Sequence, residues 1–316
     1  MMTLLEAIRA AMRDEMLADP RVVLIGQDIG VFGGAFKVTA GLQEEFGEAR
    51  VADTPISESA MIGAAIGASM VGLLPVVEMQ FIDFLACGYN QLVNFAGKLR
   101  YRIGQSASIV VRGPCGAGVS GSAFHSQSPE SSYLCVPGIK VVYPAFAEDA
   151  YGLLRSAIQD PDPVLFLEHK FLYRRIKGEP QGPLPLGQAR VVRPGEQVTL
   201  VTWGAPVHTA LEVATQFGSS VEVIDLRCLQ PWDKETVYRS VKRTSKALIL
   251  HEAQQTLGFG AEIAASLVGD LFEYLDGPVI RVAAPDSPVP FSPTLEKAYL
   301  PGEQQLSAAL RQLLAY

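Results

Sequence analysis

Short apolar runs bounded by turn residues recur along the first half of the chain, at 22–25, 76–79, 108–111, 140–142 and 164–167. Each is long enough for a strand and too short for a helix. Between several of them lie segments of helix length, at 57–71, 89–98 and 147–159. That alternation predicts a parallel sheet with crossover helices. The stretch Lys177-Gly178-Glu179-Pro180-Gln181-Gly182-Pro183-Leu184-Pro185 has no period and interrupts the rhythm. Beyond it, strands at 198–202, 221–225, 247–250 and 279–282 alternate with helices at 208–216, 234–241 and 259–271. The expectation is an α/β protein of two domains, 1–180 and 191–316, joined by a linker over 181–190, each a mostly parallel sheet with flanking helices. Ahead of the first strand, Leu4, Leu5, Ile8, Ala11, Met12 and Met16 define the apolar side of an amphipathic helix.

A length of 316 residues agrees with two domains at roughly 100 to 200 residues each. A hydrophobic share of 48% against 19% charged places the chain with globular proteins and away from disordered ones. The net charge of −7 argues against a nucleic-acid surface, which needs a basic stripe, and suits a basic protein partner. Cys87, Cys115, Cys135 and Cys228 form no C-x-x-C pair and no metal-finger spacing. They read as reduced thiols in a cytoplasmic setting. No signal peptide is expected, and the apolar stretches break at Gly72 and Pro75 before they reach membrane-spanning length.

The segment Asp53-Thr54-Pro55-Ile56-Ser57-Glu58-Ser59 sets a lone acid at the mouth of a helix built almost entirely of small apolar residues. Columns Gly63/Gly67 and Ala60/Ala64/Ala68 recur at helical spacing, which predicts close helix contacts. A half-buried carboxylate there must be paired, neutralised or used on a ligand. The structural alternative is electrostatic dressing of a helix N-terminus.

Gly30-Val31-Phe32-Gly33-Gly34 and Gly258-Phe259-Gly260 both fail the G-x-G-x-x-G fingerprint, and no Walker loop occurs. Gly116-Ala117-Gly118-Val119-Ser120-Gly121-Ser122 does not form a G-x-S-x-G elbow. It does lead into His125, within the polar loop Ala123-Phe124-His125-Ser126-Gln127-Ser128-Pro129-Glu130. An imidazole there can exchange a proton near neutrality, or it can serve structure alone. Of the other histidines, His169 and His208 read as surface or structural, and His251 as a packing or interface residue.

Six segments occur in one order: 53–59 above, Glu78-Met79-Gln80-Phe81-Ile82-Asp83-Phe84, Lys98-Leu99-Arg100-Tyr101-Arg102, the loop 125–130, Pro137-Gly138-Ile139-Lys140-Val141-Val142, and Asp225-Leu226-Arg227-Cys228-Leu229-Gln230-Pro231-Trp232-Asp233. Together, over nearly the whole chain, they resemble the beta subunit of the thiamine-diphosphate-dependent decarboxylase component of 2-oxo acid dehydrogenase complexes. The resemblance implies a pyrimidine-binding domain followed by a transketolase C-terminal-like domain. It matches Glu58 to the glutamate that bonds the aminopyrimidine ring nitrogen of thiamine diphosphate and favours its imino tautomer. Gln80 and Phe84 match pyrimidine-pocket positions, and Ile56 an apolar contact beside Glu58. His125 matches a histidine that moves protons during decarboxylation and acylation of lipoyl groups.

The same resemblance places a potassium site at Ile109, Ala157, Ile158 and Asp160, with Asp162 where relatives often carry Asn. Asp276-Gly277 lacks the Gly-Asp-Gly context that anchors magnesium and diphosphate. The implication is an alpha subunit that holds the magnesium, a shared site and an α2β2 heterotetramer, with the acidic C-terminal domain docking a lipoyl acyltransferase core. Gln27 stands where relatives commonly read Glu. Three readings follow: a beta subunit acting on pyruvate or a branched-chain 2-oxo acid, the beta subunit of an acetoin-cleaving complex, and a non-catalytic docking scaffold.

Overall fold

The apolar runs become strands because a parallel sheet covered on both faces needs near-continuous hydrophobic segments. The computed structural model describes residues 1–316 and divides into two units, Met1–Cys115 with Ser132–Leu186, and Gly116–Ser131 with Gly187–Tyr316. The segment 116–131 therefore groups with the second unit, although its sequence lies inside the first.

The strands of the first unit are β1 (Met2–Thr3), β2 (Val22–Gly26), β3 (Val51–Asp53), β4 (Leu74–Glu78), β5 (Val110–Cys115), β6 (Lys140–Val142), β7 (Val164–His169) and β8 (Lys177–Gly178). Its main sheet runs β6-β7-β5-β4-β2-β3 with every pair parallel, and β1 and β8 form a separate antiparallel pair. Every residue of β4, β5 and β7 is buried. The helices are α1 (Leu4–Ala18), α2 (Leu42–Phe46), α3 (Glu58–Met70), α4 (Gly97–Ile103), α5 (Ser131–Leu134) and α6 (Ala147–Ile158). Thr3 and Glu6 form a reciprocal capping box that starts α1. Polar clasps join α1 to α6: Tyr151 Oη donates to Asp14 at 2.6 Å, and Arg155 Nε to Glu15 at 2.6 Å.

Helix α3 begins at Glu58, after Pro55 and an N-cap Ser57 held in non-helical geometry, and it stops where Gly72 adopts a φ of +97°. Its buried face is Met61, Ile62, Ala65 and Ile66. The expected close packing of the small columns is not made within this chain: Ala60, Gly63, Ala64 and Gly67 are exposed, and a Cβ added at Gly67 would meet nothing within 4 Å. The segment expected as a helix over 89–98 is helical throughout, as a π-helix at Gln91–Ala96 that runs on into α4.

The second unit contains β9 (Arg190–Arg193), β10 (Val198–Thr202), β11 (Val221–Asp225), β12 (Cys228–Gln230), β13 (Ala247–Gln254) and β14 (Ile280–Ala284). Its five-stranded sheet runs β14-β13-β10-β11-β9, parallel except for β9, which pairs antiparallel at the edge. Helices α7 (Pro206–Ala214), α8 (Lys234–Thr244), α9 (Phe259–Leu271), α10 (Pro293–Tyr299) and α11 (Glu303–Leu314) complete it. Leu306, Leu310 and Leu313 of α11 enter the core with Leu200, Val223 and Leu248. No helix is long and apolar enough to cross a membrane.

Candidate active site

Strands β3, β2 and β4 are neighbours in register, with Gly26 opposite both Asp53 and Glu78. The segments that leave their carboxyl ends therefore emerge side by side, where open parallel sheets bind ligands. Glu58, Ile56, Gln80 and Phe84 all come from these segments. Gln80 Nε2 donates to Asp28 Oδ2 at 2.8 Å, which ties the exits of β4 and β2 together. Phe84 meets Phe81 edge-on at 6.1 Å, and Phe81 meets Phe36 at 5.4 Å, so the aromatic face is braced from behind. The Gly30 N–H donates to Asp53 Oδ1 at 2.8 Å, and a Cβ at Gly30 would collide with Asp53. This glycine cluster thus serves close backbone approach.

Glu58 is half-buried in the first turn of α3, and no hydrogen bond or ion pair within the chain engages its carboxylate. Ile56, two residues earlier, is 83% exposed. A carboxylate without a partner, an open aliphatic side chain and a braced aromatic ring suit the pyrimidine end of thiamine diphosphate: an acceptor for a ring N–H and apolar surface for the ring. Gln27 is buried, and its amide donates to the Met61 sulfur at 3.5 Å. A carboxylate in its place would face a thioether that has no proton to offer, which rationalises the neutral side chain.

Beneath this edge lies a polar group that the sequence reading missed. Arg112, 1% exposed on β5, reaches Glu78 on β4 and forks onto Glu168 on β7, with Nη2 to Oε2 at 2.7 Å. Tyr173 Oη donates to the same Glu168 oxygen at 2.5 Å. Burial pushes the Glu78 carboxyl up against the pull of Arg112. Burial also opposes the Arg112 charge, and Glu168 and Glu78 outweigh it, so the guanidinium stays protonated. The readable signal was one charged residue inside each of three apolar strands.

Of the five residues expected to hold potassium, Ala157 and Ile158 end α6, Asp160 and Asp162 follow it, and Ile109 precedes β5. The Ile109 carbonyl accepts from the Val164 N–H at 3.0 Å and that of Ala157 from the Asp160 N–H at 3.2 Å. Lys140 Nζ donates to both oxygens of Asp160 at 2.7 and 2.6 Å, and Arg100 Nε to Asp162 at 2.6 Å. Both carboxylates are already neutralised by cations of the chain, which leaves only carbonyl oxygens for a potassium ion. The fit of these five residues to a potassium ion is incomplete.

In the second unit His125 is half-buried, its backbone N–H donating to the Ser122 carbonyl at 3.3 Å. Five residues on, buried Glu130 accepts from Trp203 Nε1 at 3.3 Å. Burial pushes its carboxyl up to about 8, and Glu252 adds to that rise. The other face of this cluster is His251, stacked on Trp203 at 5.5 Å and pulled down to about 4 by burial. His251 is a neutral packing group.

Residues 1–175 match the family described as transketolase, pyrimidine binding domain, and residues 187–306 match transketolase, C-terminal domain. A 2-oxoisovalerate dehydrogenase subunit beta of Bacillus subtilis (strain 168) is 44% identical over 324 residues, covering 100% of this chain and 99% of the relative. The subunit of the same name from Pseudomonas aeruginosa is 41% identical, with coverage of 99% and 95%. A pyruvate dehydrogenase E1 component subunit beta of Rickettsia felis is 41% identical, with coverage of 99% and 98%. Among solved structures, a split gene transketolase described as an inactive beta4 tetramer aligns with a TM-score of 0.80 at 20% identity. That alignment covers 99% of this chain and 98% of the other, and it shows a shared fold. With both domain families matched in sequence and full-length relatives above 40% identity, the chain belongs to the beta-subunit family of the thiamine-diphosphate-dependent 2-oxo acid dehydrogenases, which are oxidoreductases.

Proposed function

We propose that this beta subunit acts in the oxidative decarboxylation of a branched-chain 2-oxo acid, within a site completed by an alpha subunit in an α2β2 heterotetramer. The observation that carries the reading is the unpartnered, half-buried Glu58 carboxylate at the carboxyl edge of the sheet. Glu58 would hold the pyrimidine ring through its carboxylate, which can accept a hydrogen bond from a ring N–H and take up or give back a proton there. Ile56 and Phe84 would offer apolar surface to the ring, and Gln80, fixed by Asp28, would orient its edge. When bound, thiamine diphosphate supplies the electron sink for decarboxylation. His125 shuttles a proton as the acyl group passes to a lipoyl group.

The diphosphate and its magnesium fall to the alpha subunit. Asp276 supports this, since its carboxylate is engaged by Ser245 Oγ at 2.6 Å. The acidic balance of the chain suits docking to a basic segment of a lipoyl acyltransferase core. The branched-chain assignment rests on the names of two of the relatives; pyruvate is the second reading, from the 41% identical pyruvate dehydrogenase subunit.

The test is substrate-dependent reduction of an artificial acceptor with 3-methyl-2-oxobutanoate, pyruvate and acetoin, in the presence of thiamine diphosphate and magnesium. It compares the chain alone with the chain co-produced with an alpha partner. Activity only in the mixture, greatest with 3-methyl-2-oxobutanoate, is expected. A stable assembly inactive on all three would turn the reading to a docking scaffold.

A further inference from the structure

The loop that carries His125 is held by two carboxylates of its own unit, Glu296 and Glu252. Glu296, on α10, is 4% exposed. Its Oε1 accepts the Gly118 N–H at 2.9 Å, and its Oε2 accepts the Ser120 N–H at 2.9 Å. Glu252, on β13, accepts the Ala117 N–H at 2.7 Å and Ser128 Oγ at 3.1 Å through one oxygen. The points of attachment bracket His125, at Ser120 before it and Ser128 after it.

The loop needs such restraint. Gly116, Gly118, Ser120 and Ser122 all take positive φ, at +81°, +89°, +57° and +63°. Two of the four are serines, and a left-handed side-chain-bearing residue persists only where its surroundings over-determine it. Backbone N–H groups donating to buried carboxylates form charge-assisted bonds, stronger than the neutral kind. The anchoring elements are not mobile loops: β13 is a central strand, and Tyr299 at the end of α10 packs with Ala117, Ala284 and Val289.

We propose that Glu296, seconded by Glu252, is a positioning residue that fixes the 116–131 loop and thereby the place of His125. The inference rests on the reading of His125 as the proton shuttle. The consequence is chemical, because a displacement of about 1 Å at a reacting group can cost on the order of 100-fold in rate.

The test uses the enzyme assembled with its alpha partner and compares Glu296→Gln, Ser128→Ala and His125→Ala. Hydrogen exchange across 116–131 reads the clamp, and acyl transfer to a lipoyl group is measured beside turnover with an artificial acceptor. For Glu296→Gln, exchange at Gly118 and Ser120 is expected to quicken about tenfold or more, as a local opening becomes easier. Acyl transfer is expected to fall by about 10- to 100-fold, with the smaller loss in artificial-acceptor turnover that marks His125→Ala. Ser128→Ala should move both readouts in the same direction by less. It decides the matter alone should Glu296→Gln fail to fold. Unchanged exchange overturns the clamp. Faster exchange with acyl transfer intact, where His125→Ala loses it, overturns the positioning role. A neutral His125→Ala instead refutes the shuttle and with it the functional half of this inference, while exchange still reports on the clamp.

Discussion

Glu58 presents a half-buried carboxylate that no group of the chain engages, at the edge where β2, β3 and β4 end together. For Glu58→Ala the assembled enzyme should form normally and lose decarboxylation by about 10²- to 10⁴-fold; near-normal turnover with an artificial acceptor would remove Glu58 from the mechanism. Glu130 gives a second expectation, of stability. Its carboxyl ionises near 4.5 when unfolded and near 8 in the fold, so the folded state holds the proton that the unfolded chain releases. Its contribution is therefore fully present below about pH 4.5 and is lost as pH rises towards 8, up to a ceiling of about 5 kcal/mol. His251 has the opposite sign, favouring the fold above about pH 6.5 and losing that advantage as pH falls towards 4. Urea midpoints of wild type and Glu130→Gln should agree most closely near pH 5, with the variant gaining relative to wild type by pH 8.5. Parallel pH dependence of the two proteins would show that Glu130 is not the group responsible.

At the scale of elements, the strands carried by branched apolar runs were legible, and 140–142, 198–202 and 221–225 fall where the pattern set them. β3 was not anticipated, since Val-Ala-Asp is too short and too polar to stand out. It forms because β2 offers it a paired edge. The C-terminal helices α10 and α11 were missed for another reason. The βα rhythm does not announce them, because these helices succeed the last strand without restarting it. The helix α3 shows the converse case, small columns whose close contacts the sequence predicts and the chain by itself does not supply. With Gly63 and Gly67 open, the double variant Gly63→Leu/Gly67→Leu should leave the isolated chain folded and its helix more stable, by roughly 1 kcal/mol for each glycine replaced. Sedimentation with the alpha partner should show the heterotetramer disrupted, if this small-residue face is the one that meets another subunit. A heterotetramer formed as readily as by wild type would assign the stripe to solvent.

For the whole molecule, Glu58 at a helix mouth and His125 in a polar loop stand out in the sequence by residue type, and the alternation of strands and helices and the two mostly parallel sheets were determined by it, because hydrophobic periodicity and turn residues act locally. So was the family, through segments whose order survives along the chain. The tertiary structure alone decided that residues 116–131 join the second unit. It alone set Glu296, 171 positions from His125 (296 − 125), against the loop that carries it, and Arg112 between two carboxylates from neighbouring strands. Those partnerships arise from long-range packing that brings distant charges into low-dielectric surroundings, where each must find a counterpart. A local pattern can announce that a carboxylate is buried. It cannot name the backbone N–H or guanidinium, far away in sequence, that makes the burial tolerable.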